Sequence, residues 1–324
     1  NKVVKYADTD SIMTSLKWLY QKLDWQEWCE SGKIDLEELK KQSKTASKLS
    51  IDSYKGNKEV YYRVQFYLIM DKYVFQPMFE RILSAYCLKH NASPLMRDGA
   101  HSYGLGLEQI NKNMLWTGKK YYIKNPIWDD GTPLLPEEEI QVKGLPINKS
   151  SFPEFVRNNL KVIVKEVMKQ GENMNFSSIV KMIKQIRESF ELAGVENISM
   201  AERLNKYHAY CINDKEEIVL SSGCPRNVRA SASYNYIIQK ESNAKYASKY
   251  KPIKDGIKIQ YFMVKDPNLE VFGFPAGELP FEVMPEIDWE KQFDLTILSP
   301  LNLVFTAINM EKLDSNLICF SPLI

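Results

Sequence analysis

Two carboxylates two residues apart, Asp8 and Asp10 in Tyr6-Ala7-Asp8-Thr9-Asp10-Ser11, are the first groups in this sequence with a spacing that can do chemistry. Like charges a few ångströms apart repel, so such a pair is favoured where divalent cations neutralise it. Carboxylate oxygens are hard ligands suited to Mg²⁺, which keeps waters and substrate phosphates in its remaining positions. Two such ions about 3.5–4 Å apart would activate a 3′-hydroxyl and stabilise a leaving pyrophosphate. Taken alone, Asp-Thr-Asp-Ser is also an ordinary polar Asx-type turn.

Two further segments carry charge in a recognisable pattern. Lys112 to Lys124 holds four lysines and no acid, with three aromatics interleaved in Trp116-Thr117-Gly118-Lys119-Lys120-Tyr121-Tyr122-Ile123-Lys124. On a strand, alternation sends Lys120 and Tyr122 to one face and Lys119 and Tyr121 to the other. Either face would neutralise phosphates or reach minor-groove acceptors shared by every base pair. An exposed edge strand guarded by lysines fits the same residues. In Gly223-Cys224-Pro225-Arg226-Asn227-Val228-Arg229, the arginines at i and i+3 share one helix face. At a helix start they would grip phosphates together with free backbone N–H groups. The alternative is pairing with acids downstream.

The elements that must hold these groups follow from pattern. Val3, Val4 and Tyr6, then Ile12 and Met13, read as a hairpin around the acidic turn. Residues 31–59 are polar and Lys/Ser-rich, a helix plus a loop insertion. Tyr73, Val74, Met78, Phe79, Ile82, Leu83 and Tyr86 predict an amphipathic helix over 72–90. Leu115 to Ile123 is strand-like, and 128–139, with Pro133 and Pro136, reads as an acidic loop. Ser151, Pro153 and Glu154 predict a capping-box start for a helix striped with Val156, Leu160, Ile163, Val164 and Val167 and ending near Gly171. A second helix runs from Ser177 to Leu192 and stops at Gly194. Ser199 and Glu202 predict a third. A boundary near residue 150 separates a mixed β/α part from a largely helical one.

Composition narrows the classes. Over 324 residues, 43 basic side chains against 41 acidic leave +2, and 44% hydrophobic residues describe a folded chain. The near-neutral total hides segregation. Residues 223–260 carry Arg226, Arg229, Lys240, Lys245, Lys249, Lys251, Lys254 and Lys258 against Glu241 and Asp255. Residues 266–294 carry Asp266, Glu270, Glu278, Glu282, Glu286, Asp288, Glu290 and Asp294 against Lys291. Such blocks either offer one surface to a polyanion or pair with each other. No apolar run approaches the ~20 residues needed to span a bilayer. Cys29, Cys87, Cys211, Cys224 and Cys319 lack CxxC spacing and have only three histidines for company, which fits free thiols in a reducing compartment rather than a zinc site.

Taken in order, the segments resemble a known family. Tyr6 to Ser11 resembles motif C of family B DNA polymerases, and Lys119-Lys120-Tyr121-Tyr122, followed by Lys143-Gly144, is similar to that family's Lys-Lys-x-Tyr motif. Gly223 to Asn235 is similar to its thumb segment. The stretch from Asp255 through Phe274-Pro275-Ala276-Gly277-Glu278 to Ile287-Asp288-Trp289 is similar to the end of T-even-like bacteriophage replicative polymerases.

The resemblance implies an α+β fold: the C-terminal part of a palm over residues 1–150, an antiparallel sheet with helices, then a mainly helical thumb over 151–324. It implies that Asp10, with Asp8 beside it, holds two Mg²⁺ ions shared with a motif A aspartate outside this sequence. It implies that Lys119, Lys120 and Tyr122, with Lys143, follow the minor groove of primer–template DNA, and that the thumb, with Arg226 and Arg229, grips the duplex backbone. Position 121 is Tyr where the family often has Arg, which puts a groove contact there in doubt. The tail around Leu317, Ile318 and Phe320 resembles in position a sliding-clamp peptide, and its spacing equally suits a frayed helix end.

Motif A, the dNTP-binding fingers helix and the exonuclease carboxylates are not found in the sequence, which opens at Asn1. The expectation is therefore the C-terminal portion of a DNA-directed DNA polymerase, from a split gene, an intein-interrupted gene or a cut chain. It would be inactive without an N-terminal half and at work in the cytoplasm of an infected bacterium. The alternative is a non-catalytic duplex-binding or processivity subunit derived from such an enzyme.

Overall fold

The structure, a computed structural model, describes residues 4–7, 12–41, 43–90, 105–213, 218–246 and 248–314. It falls into two compact units, residues 1–113 with 124–141, and residues 114–123 with 142–324.

In the first unit, β1 (Val4–Ala7) and β2 (Ile12–Thr14) pair antiparallel, with Tyr6 opposite Met13 and Ala7 opposite Ile12. The hairpin strands form as the apolar pattern predicts. Asp8 and Asp10 lie outside the described residues. Three short helices follow, α1 (Lys17–Lys22), α2 (Trp25–Glu30) and α3 (Leu36–Lys41), and then the longer α4 (Lys58–Met70) and α5 (Gln76–His90). Phe66 of α4 is fully buried and meets Trp25 and Tyr20 edge-on at 5.2 and 5.4 Å. The polar stretch 31–59 does more than its composition suggests. Ala46, Leu49 and Tyr54 are buried against α4, and the Tyr54 hydroxyl donates to the Ile127 carbonyl at 3.1 Å. Burial pushes that hydroxyl's pKa well up.

A four-stranded sheet is built from β3 (Gln109–Gly118), β4 (Tyr121–Asp129), β5 (Thr132–Pro133) and β6 (Gln141–Lys143), in the order β3-β4-β5 with β6 also on β4. The segment expected to be loop from Trp128 is partly strand. Trp128 is buried opposite Pro133, and Asp130 and Gly131, at φ +39° and +89°, make a tight hairpin turn with the left-handed pair that twisted strands favour.

In the second unit, α6 (Glu154–Gln170) buries Val156, Leu160, Ile163, Val164 and Val167, and α7 (Phe176–Leu192) buries Ile179, Ile183, Ile186 and Phe190. The expected capping box does not form. Pro153 takes the cap position, and its ring carries no oxygen to accept from the first-turn N–H groups. After α8 (Val195–Ile198) comes a correction: the helix expected from Ser199 and Glu202 is strand β7 (Met200–Arg203). Its partner is far off in sequence, β10 (Lys258–Met263), with Ile259 opposite Glu202, and β11 (Val271–Pro275) completes the sheet β11-β10-β7. Non-local pairing has overridden a local capping signal.

The short α9 (Tyr207–Tyr210) leads into a two-stranded ribbon of β8 (Cys211–Asn213) and β9 (Ile218–Leu220), so the residues past 150 carry two small sheets among their helices. Helix α10 (Arg226–Gln239) lies on the sheet, and its Ala230-Ser231-Ala232-Ser233 run is wholly buried. Small residues are required there. A Cβ on Gly273 of β11 would stand 3.0 Å from the carbonyl carbon of Ala230. Helices α11 (Trp289–Phe293) and α12 (Ser299–Ala307) end the described fold.

Candidate nucleic-acid interface

Lys119 and Lys120 lie not within a strand but at the tip of the β3–β4 hairpin, where Lys120 adopts a left-handed φ of +64°. The expected alternation therefore starts only at Tyr121. Both lysines and Tyr121 are exposed, and Tyr122 is half-buried. Because β6 pairs with β4, Lys143 and Gly144 arrive beside this tip. The Lys143 ammonium sits 5.5 Å from the centre of the Tyr122 ring, within cation–π range. The Tyr121 ring lies directly on Gly144, whose φ is +83°. A Cβ at Gly144 would fall 2.0 Å from Cδ1 of Tyr121. Tyr121 thus acts as a strut on the second turn. The fold brings Lys119-Lys120-Tyr121-Tyr122 and Lys143-Gly144 together as one basic, aromatic-backed projection.

Lys112, by contrast, is drawn off the lysine run: it pairs with Glu137 at 2.7 Å in the first unit. Beside the tip, Trp116, Thr117 and Gly118 line an open groove of roughly 740 Å³, walled on the other side by Leu298, Asn302 and Leu303. Among the described residues, Trp116 Nε1 and Thr117 Oγ1 are buried without a hydrogen-bond partner. No sequence motif pointed to this groove, since its walls are 180 residues apart.

The two arginines of α10 part company. Arg229 pairs with Glu270, the downstream acid that the alternative reading allowed, while Arg226 is exposed at the first turn. More of the segregated charge pairs in the same way. Lys249 and the Tyr250 hydroxyl both bond Glu282, holding its carboxyl down at about 2, and Lys265 bonds Glu286. The pairing is incomplete. Lys251, Lys254 and Lys258 are exposed, and Lys240 and Lys245 lie over the rings of Tyr236 and Tyr246 at 4.6 and 4.8 Å. What remains is a basic surface interleaved with aromatic rings.

Asn235, in the second half of α10, is a buried tie. Its amide nitrogen donates to the Tyr207 hydroxyl at 3.1 Å and the Ile253 carbonyl at 3.0 Å, and its oxygen accepts from Ile253 N–H at 2.7 Å. It fastens the lysine-rich stretch to α10. Among the described residues no three His, Cys, Asp or Glu side chains group to hold a metal ion, and no helix is long and apolar enough to cross a membrane. Asp8 and Asp10, and the tail residues Leu317, Ile318 and Phe320, lie outside the described residues.

The chain is 22% identical over 204 residues to the DNA-directed DNA polymerase of Escherichia phage RB69, covering 60% of this chain and 21% of that protein. It is also 22% identical over 280 residues to the DNA-directed DNA polymerase of Enterobacteria phage T4, covering 83% of this chain and 29% of that one. No family model matches. The chain is thus distantly similar to phage DNA polymerases and spans less than a third of their length.

Proposed function

We propose that this chain is the palm-end and thumb portion of a family B DNA-directed DNA polymerase. It would grip primer–template duplex and contribute one side of a two-Mg²⁺ site for nucleotidyl transfer. The observation that carries the reading is the union of Lys119-Lys120-Tyr121-Tyr122 with Lys143-Gly144 at one exposed tip, in a chain distantly similar to phage polymerases over 83% of its length. Lys119 and Lys120 would neutralise phosphates at the minor groove, and Tyr121 would brace the turn. The exposed Arg226 and the row Lys251, Lys254 and Lys258 would follow the duplex backbone, an electrostatic hold independent of sequence.

Mg²⁺ belongs with Asp10, assisted by Asp8. The remaining carboxylate would come from an N-terminal polymerase part that also binds the dNTP. When bound, the ions supply a nucleophilic 3′-oxygen and a neutralised pyrophosphate. This chain's own share is to hold the duplex against them. A sliding clamp is the proposed partner of the tail around Leu317, Ile318 and Phe320.

Asp10→Ala, assayed by primer extension in the assembled enzyme, is expected to lose several orders of magnitude in rate with DNA affinity nearly intact. Little change in rate would favour the alternative, a non-catalytic duplex-binding subunit. The grip is tested separately. Each lysine that neutralises a phosphate adds about 0.9 to the slope of log K against log salt. Lys119→Ala with Lys120→Ala should therefore flatten that slope by nearly two. A slope equal to the parent's would remove the tip from the DNA interface.

A further inference from the structure

Helix α5 and the wide turn that leads into it, Asp71–Phe75, carry two adjacent apolar ridges, and their own unit uses one of them. Residues four apart on a helix align as a ridge that seats in a groove of a neighbour. Phe75, Phe79, Leu83 and Cys87 form the first ridge: Cys87 is buried, the other three are half-buried, and Phe75 stacks on Phe79 at 6.2 Å. Val74, Met78, Ile82 and Tyr86 form the second, one residue back, and are 41, 42, 54 and 57% exposed. At about 1.5 Å per residue this second ridge runs roughly 18 Å. Single apolar residues on a surface need no explanation, but a continuous stripe containing Met and Tyr has the composition of an interface core.

The occupant can be argued from charge and from length. Lys72, Arg81 and Lys89 flank the ridge against Glu80, and all four are exposed. A second copy of this chain on the same ridge would set like charge against like. A partner with acidic flanks fits. More than two thirds of each similar phage polymerase lies outside the part this chain matches.

We propose that the Val74–Tyr86 ridge seats the polymerase polypeptide that supplies the remaining palm strands and the second catalytic aspartate, through an apolar face flanked by acids. This rests on the polymerase reading above and names the surface where its partner docks.

The test installs benzoylphenylalanine in place of Ile82, with Leu192 of α7, 88% exposed, as the control position. The assembled polymerase is irradiated and the adducts are sequenced by mass spectrometry. The expected adduct forms from position 82 alone, with a peptide that aligns to the RB69 or T4 polymerase outside the part matched here. Ile82→Glu should weaken that association by about 100-fold, as a charge does in a packed interface centre, while the thermal melt of the chain alone stays unchanged. Adducts only to a second copy, only to this chain's own residues, or none at all would overturn the proposal. Primer–template binding by the purified chain, measured in parallel, separates the two ideas. Binding retained without the adduct removes the interface alone, and the adduct without binding removes the DNA-gripping function alone.

Discussion

Two helices of this chain share one local device and come to different ends. A wide π turn opens at Asp71 and runs into α5, with Pro77 six residues on; another opens at Asp294 and runs into α12, with Pro300 six residues on. Proline has no N–H and its ring crowds the carbonyl four residues back, so a widened turn is the relief each helix takes. Beyond its wide turn, α12 buries Pro300, Leu301, Val304 and Phe305, whereas α5 buries Cys87 alone. A shared turn and proline thus leave burial undecided. The partner decides it, and α12 finds its partners inside its own unit.

The largest expected effect lies on the α12 side. Phe305 is fully buried and meets Phe176 edge-on at 6.0 Å. Phe305→Ala should destabilise the second unit by about 3–5 kcal/mol in urea unfolding, the usual cost of a core phenylalanine and its cavity. A loss under about 1 kcal/mol would show α12 to be held no better than an exposed helix, and the contrast would dissolve.

A smaller effect asks how far the cover of α12 extends. Asn302 brackets Leu313: its amide donates to the Leu313 carbonyl at 2.7 Å, and its oxygen accepts from Leu313 N–H at 2.8 Å. Leu313 is buried, so Asn302→Ala would strand both backbone groups. A cost of about 1–3 kcal/mol follows from leaving buried polar groups unpaired. Hydrogen exchange at the Leu313 amide should accelerate with it. Unchanged exchange there would mean that the returning segment is no part of what holds α12.

How much of this was legible in the sequence depends on the range of the interaction. Helices α6 and α7 could be read from their stripes because one face of each meets one core. Strand β7 could not: Ser199 and Glu202 look like a helix start, and only the ladder to residues 258–261 makes 200–203 a strand. The lysine tip looks like strand in the sequence because nothing local marks Lys120 for a left-handed φ, a conformation usually left to glycine or asparagine. Arg229 could by sequence serve a phosphate or a downstream acid, and 41 residues of separation from Glu270 hide which it meets. Gly144 was part of the motif, but its purpose, giving the Tyr121 ring a flat seat, is visible only in three dimensions. The apolar residues of α5 were read correctly as helical. That they make two ridges, with cover for one, is not a property any period can reveal.

The smallest expected effect is the sharpest test of the contrast. Ile82 is 54% exposed, so in the chain alone Ile82→Ala removes little buried surface. Alanine is the better helix former by a few tenths of a kcal/mol, which offsets most of what is lost. The net change in urea unfolding of the purified chain should stay within about 0.5 kcal/mol, as for substitutions away from packed contacts. A cost of 2 kcal/mol or more, typical of a core isoleucine cut back to alanine, would place Ile82 inside the packing of its own unit. In that event α5 and α12 would be held alike, and the second ridge would have no vacancy for a partner to fill.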